Sequence, residues 1–227
     1  AVQFVRSCSK VGVKPLLGAV VELDVGGEVL LLIESLTGYR NLSRLLTRCH
    51  REHPRLLPFC RSEWLESYAD GLICLTGGHG GALNRLLAAK RYEEADRFAR
   101  FLQERFDGRL YLEIERTFLP WEISVNSRLL EISSRLGVPA VAGGPIQHVA
   151  PEDFVAQDAL LCAETLCTVE ELVGRKPQRP DGAPSVPIRS LNAERYFRTG
   201  DAWRALFADA PELLEQTLEV AERCAES

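Results

Sequence analysis

Short, nearly continuous apolar runs separated by longer amphipathic stretches constrain the fold of this chain more than any other feature. Runs of branched apolar residues suit strands covered on both faces, and stretches with apolar residues every three to four positions suit crossover helices. The alternation therefore predicts an α/β sheet of parallel strands with outer helices. The runs fall at Pro15–Leu23, Val29–Ser35, Gly71–Thr76, Leu110–Glu115 and Pro139–Ala142. The clearest helix, over Tyr92–Phe106, carries Ala95, Phe98, Ala99, Leu102 and Phe106 on one stripe, and Asp107-Gly108 stops it. Two more helices are predicted over Asn192–Phe207 and Pro211–Ala225. The second has Asp209 as a cap, Pro211 in its first turn and Glu212 near the positive end of the dipole. Four prolines between positions 175 and 187 predict an exposed loop. The chain thus divides into a barrel-like portion, 1–174, a loop, 175–189, and a helical close, 190–227.

At 227 residues and 46% hydrophobic content the chain can bury a full core. A net charge of -5 repels phosphate in bulk, so any nucleic-acid contact must be local. Seven cysteines with no Cys-x-x-Cys pair predict a reducing, cytoplasmic setting in which most thiols are small core residues. No apolar run approaches the roughly 20 residues of a membrane span and no charged start followed by an apolar stretch suggests a signal peptide, so no membrane partner is expected. Methionine is absent and the first residues read as the middle of a helix, which predicts a piece cut from a longer polypeptide.

Val11-Gly12-Val13-Lys14-Pro15-Leu16-Leu17-Gly18 is followed by the strand Leu30–Glu34 and by Gly38-Tyr39-Arg40-Asn41-Leu42. Then come Gly71-Leu72-Ile73-Cys74-Leu75-Thr76-Gly77, Leu110-Tyr111-Leu112-Glu113-Ile114-Glu115, Val141-Ala142 with Pro151-Glu152-Asp153, and a close containing Asn192–Tyr196 and Leu206–Glu212. In that order the segments resemble the PHP domain of bacterial C-family DNA polymerases, the DNA polymerase III alpha subunit and, nearest in wording, its error-prone branch. The resemblance implies a partial (β/α)7-like barrel of parallel strands and outer helices followed by C-terminal helices, its first strands lying upstream. Cutting the barrel there is expected to leave an open sheet edge that favours association.

In that family His, Asp, Glu and Cys ligands at the barrel mouth hold metals that activate water for phosphoester hydrolysis. By the resemblance, ligand positions fall here on Val20, Glu28, Gly78, Pro145 and Gln147. Of these only Glu28 keeps a strong oxygen donor, and one carboxylate does not make a metal site. A displaced site assembled from Glu22, Glu28, His79 and His148 is the competing expectation. Against it, neighbouring strand residues point oppositely, and seating His148 requires an insertion and a compensating deletion. The favoured expectation is no catalytic residue and no metal in this chain.

Cys49, His50, His53 and Cys60 match no standard zinc spacing, and Pro54 interrupts them. Arg40, Arg44, Arg48 and Arg51 form a basic stripe opposite Leu42, Leu45, Leu46 and Cys49. The stripe could follow a phosphate backbone or dock an acidic partner, and a plainly solvated face is the commoner case. Glu113 and Glu115 share a strand face, which predicts a pair held by Arg or Lys rather than acid-base partners. Gly77–Gly81 lacks the Lys-Ser/Thr of a phosphate loop and reads as a tight strand-to-helix turn. The resemblance further implies a structural role in replication or repair synthesis. It implies packing against the remainder of the polymerase chain, surfaces for a proofreading exonuclease or other replisome subunits, and DNA contact through the parent. Magnesium-dependent nucleotidyl transfer would belong to a downstream region. The alternative reading is a metal-dependent phosphoesterase or 3'-5' nuclease.

Overall fold

The computed structural model describes residues 2–53, 58–174 and 191–225; the predicted loop at 175–189 and Pro54 lie outside them. In chain order it contains α1 (Val2–Lys10), β1 (Gly18–Glu22), β2 (Glu28–Ile33), α2 (Leu36–Glu52), α3 (Leu65–Tyr68) and β3 (Leu72–Leu75). There follow α4 (Ala82–Ala88), α5 (Tyr92–Arg105), β4 (Leu110–Glu115), α6 (Glu122–Leu136) and β5 (Ala140–Gly143). The chain then closes with α7 (Phe154–Thr165), α8 (Val169–Gly174), α9 (Gly200–Leu206) and α10 (Glu212–Ala225).

The strands form one sheet in the order β1-β2-β3-β4-β5, which does not close into a barrel. Pairing is parallel for β3 with β4 and for β4 with β5, but antiparallel for β1 with β2 and for β2 with β3. The expectation of uniformly parallel strands therefore needs one correction: β2 runs against the other four. Only Leu23–Gly27 separates β1 from β2, too short for the crossover that a parallel return requires. Gly26 and Gly27 take positive φ, the Leu23 N–H donates to the Gly27 carbonyl at 2.8 Å, and a hairpin results.

Helices α2, α4, α5 and α6 cover one face of the sheet, meeting Leu31, Leu72 and Leu112. From α5 the residues buried there are Ala95, Phe98, Ala99 and Leu102, the stripe its spacing predicts. Each fully buried Leu or Phe stabilises this face by about 1.5–3 kcal/mol. On the opposite face Ile73, Leu75, Tyr111 and Val141 pack with Val220 and Cys224 of α10. The Thr217 hydroxyl of α10 donates to the carbonyl of Ala142 on β5 at 2.8 Å, so α10 satisfies backbone at that edge.

A second correction concerns the helix predicted over Asn192–Phe207. Helix begins only at Gly200, where the Thr199 hydroxyl caps it by accepting from the Ala202 N–H. Residues before it run extended beside 147–148: the Gln147 N–H donates to the Arg195 carbonyl at 2.8 Å and the Phe197 N–H to the His148 carbonyl at 3.0 Å. Asp209, expected to cap α10, instead takes a bidentate contact from Arg116 at 2.6 and 3.0 Å. Among the described residues no helix is long and apolar enough to cross a membrane.

Candidate functional site

The C-terminal ends of β3, β4 and β5 converge with the start of β2, because β2 runs the opposite way. Four glutamates meet there with a glycine turn. Thr76 and Gly77–Gly81 follow β3; Glu113 and Glu115 end β4; Gly143 and Gly144 end β5; Glu28 opens β2 and bridges to Gly81.

Glu113 is buried. Its backbone N–H donates to the Thr76 hydroxyl at 2.9 Å, and its carboxylate accepts from the Gly77 and Gly78 amides. A β-carbon on Gly143 would stand 2.4 Å from Glu113 Oε1, so the glycine is what leaves room for the carboxyl. Burial, and then the neighbouring Glu115, push the Glu113 carboxyl up to about 7 despite the two amides.

That shift has a defined sign. The folded chain holds this proton more tightly than the unfolded chain, whose carboxyl has the ordinary value of 4.5. Stability therefore falls as pH rises between about 4.5 and 7 and is level above, by about 3 kcal/mol for a shift of this size. Glu113→Gln, which keeps the shape without the charge, is expected to remove that dependence. From pH 5 to pH 8 the urea-derived stability of the variant should gain about 2–3 kcal/mol on the parent. Parallel pH profiles would show that Glu113 does not carry the proton.

Glu115 is 1% exposed. Its Oε2 accepts the His79 backbone N–H at 2.8 Å, and its Oε1 lies 3.1 Å from the Arg195 guanidinium. Gly78 permits this, since a β-carbon there would stand 2.5 Å from Glu115 Oε2. The His79 ring bridges onward: Nε2 is 2.7 Å from Glu122 and Nδ1 is 3.1 Å from Arg195. Arginine has no acceptor, so at that contact the guanidinium donates and Nδ1 accepts.

Glu122 opens α6. Burial alone would raise its carboxyl, but His79 and the Thr117 hydroxyl and amide carry it below the usual carboxylate range. Glu28 goes the other way: burial raises it, and Arg85 and Arg195 oppose the rise. The Glu28 carboxylate occupies the space that a β-carbon on Gly80 would need. The arrangement is a buried charge network, four carboxyls set against Arg195, Arg85, His79 and glycine amides.

Of the displaced-site candidates, Glu28 and His79 belong to this network. Glu22 pairs in register with Glu28 on the neighbouring strand. His148 is buried beside Phe154, with Nδ1 3.0 Å from the Ala150 carbonyl. Val20 is exposed on β1, Pro145 is exposed, and the Gln147 backbone holds Arg195. Among the described residues no group of three or more His, Cys, Asp or Glu side chains is arranged to hold a metal ion.

Cys49 and Cys60 lie in the core, His50 is exposed, and His53 stacks on Phe59 at 3.7 Å. In the arginine stripe Arg40, Arg44 and Arg51 are exposed, while Arg48 pairs with Glu52 at 2.8 Å and lies over Trp64. Glu113 and Glu115 sit together as expected, and Arg195 supplies the cation at Glu115. Sequence reasoning missed Arg195, Arg85 and Glu122. Glu122 had a local signal, an acidic residue in the first turn of a helix; the arginines had none.

A family model described as the PHP domain matches residues 1–117. An error-prone DNA polymerase from Symbiobacterium thermophilum is 32% identical over 99% of this chain and 21% of its own. DNA polymerase III subunit alpha from Borreliella burgdorferi is 29% identical over 99% of this chain and 20% of its own, and that from Escherichia coli K12 is 30% identical over 98% and 19%. The chain thus spans about a fifth of the length of the curated relatives it matches. With more than half of its length under the family model and its sheet ends gathered at one acidic mouth, this chain belongs to the PHP domain family.

Proposed function

We propose that this PHP domain is non-catalytic and metal-free, and that it serves as a structural and partner-docking part of a C-family replicative or error-prone DNA polymerase. The observation that carries the reading is Arg195. Its guanidinium reaches both Glu115 and His79 at 3.1 Å, so the side chains best suited to a cation already face a fixed one. Val20, Gly78 and Pro145, where the family resemblance seats ligands, offer no side-chain donor. The length of the relatives supports the remainder of a polymerase chain as the first partner, with an exonuclease or other replisome subunits beyond it and magnesium acting elsewhere in the parent.

Metal content and phosphodiester hydrolysis test this together. After equilibration with zinc or manganese and desalting, the chain is expected to retain well under one ion per molecule and to leave a nitrophenyl phosphodiester intact. Stoichiometric uptake abolished by His148→Ala, accompanied by hydrolysis, would establish the phosphoesterase or 3'-5' nuclease reading instead.

A further inference from the structure

All seven cysteines are free thiols, and five of them, Cys8, Cys49, Cys60, Cys74 and Cys224, are buried. The two that are half-exposed, Cys162 and Cys167, are neighbours in space. Helix α7 ends at Leu166, whose φ of 51° is left-handed, and the chain reverses over it. The Cys167 N–H then donates back to the Cys162 carbonyl at 3.1 Å, the six-to-one bond of a Schellman cap. That reversal brings the two cysteine backbones together. A disulfide needs Cα atoms roughly 5.5–6 Å apart with converging Cβ vectors, which such a closed turn can supply.

The surroundings hold the Cys167 sulfur in place. The Thr165 hydroxyl lies 3.0 Å from Cys167 Sγ and gives its proton to the Leu161 carbonyl at 2.7 Å, so its oxygen accepts from the Cys167 S–H and fixes where that sulfur lies. Partial desolvation, and then Cys167 itself, raise the Cys162 thiol.

We propose that Cys162 and Cys167 are a redox modification site, forming a reversible intramolecular disulfide that staples the end of α7 to the start of α8 when the protein meets a hydroperoxide. The Cys167 thiolate attacks the peroxide oxygen, the O–O bond breaks, an alcohol or water leaves, and Cys167 becomes a sulfenic acid. The Cys162 sulfur then attacks Cys167 sulfur, the S–S bond forms, and hydroxide leaves as water with the proton of Cys162. Two thiols supply the two electrons that the peroxide accepts. A small dithiol reverses the step by exchange.

The full 227-residue chain tests this directly. Native protein is treated with hydrogen peroxide, alkylated with N-ethylmaleimide, digested and weighed. Cys162 and Cys167 are expected to lose their alkylation together, their shared peptide lighter by two hydrogens, and dithiothreitol to restore both. In Cys162→Ser, Cys167 should instead persist as a sulfenic acid that dimedone traps, a second readout that does not depend on closing the bond. Separate oxidation of the two to sulfinic acids, a disulfide between two chains, or linkage of the buried Cys49 and Cys60 would each overturn the proposal.

Discussion

Gly38→Ala is expected to destabilise the protein by at least about 4 kcal/mol, at the far end of single-substitution effects. A β-carbon at Gly38 would stand 1.8 Å from the carbonyl oxygen of Gly71 and 2.5 Å from its carbonyl carbon, both backbone atoms that cannot step aside alone. That carbonyl is already fixed, because it accepts the Glu34 N–H at 3.0 Å. Around it, Ser35 caps α2 by accepting the Gly38 N–H at 3.2 Å, and the Asn41 side chain donates to the Asp70 carbonyl at 2.9 Å. Gly71 itself has φ +70 and packs against Ser35 and Gly38. The start of α2 and the turn into β3 therefore meet backbone to backbone, and adding one methyl must separate them. Thermal unfolding should move down by on the order of 10 °C for a chain of this length. A shift of a degree or two would mean that the two segments do not touch.

Arg195→Ala is expected to cost about 3–5 kcal/mol, because it leaves the buried Glu115 charge without its cation. The 3.1 Å contacts to Glu115 and to His79 disappear together, so the effect exceeds that of losing an exposed ion pair. Adding Glu115→Gln removes the uncompensated charge and should restore at least about 1 kcal/mol in a double-mutant cycle. Additive losses would show that Arg195 acts through packing of the 192–198 segment rather than through the carboxylate. The same variant bears on function. If a metal enters the mouth once Arg195 is gone, the arginine stands in a cation's place.

Much of the framework was legible because it rests on local chemistry. The stripe of α5 appears in the spacing of Ala95, Phe98, Ala99 and Leu102, and all four are buried where expected. Gly38 and Asn41 were visible as parts of a motif, and their contacts with Asp70 and Gly71 explain why that motif has those residues. The direction of β2 was less visible. Periodicity marks a strand but carries no direction; the short turn after Leu23 does.

The site divides the same way. Glu113 and Glu115 could be seen to share a face, since strand residues two apart always do. Helix over Asn192–Phe207 was a wrong expectation for its first half, because backbone partners at Gln147 and His148 outweigh helix propensity there.

By itself the sequence determined the family, the strand and helix segments, and the want of side-chain donors at Val20, Gly78 and Pro145. Each of these is written in neighbouring residues or in an ordered set of short motifs. Only the tertiary structure decided what occupies the mouth instead. Arg195 is 116 positions from His79, and Gly143 and Gly78 matter through β-carbons they lack beside carboxylates on another strand. Such contacts depend on how β3, β4 and β5 end side by side, and long-range pairing of this kind leaves no periodic trace along the chain.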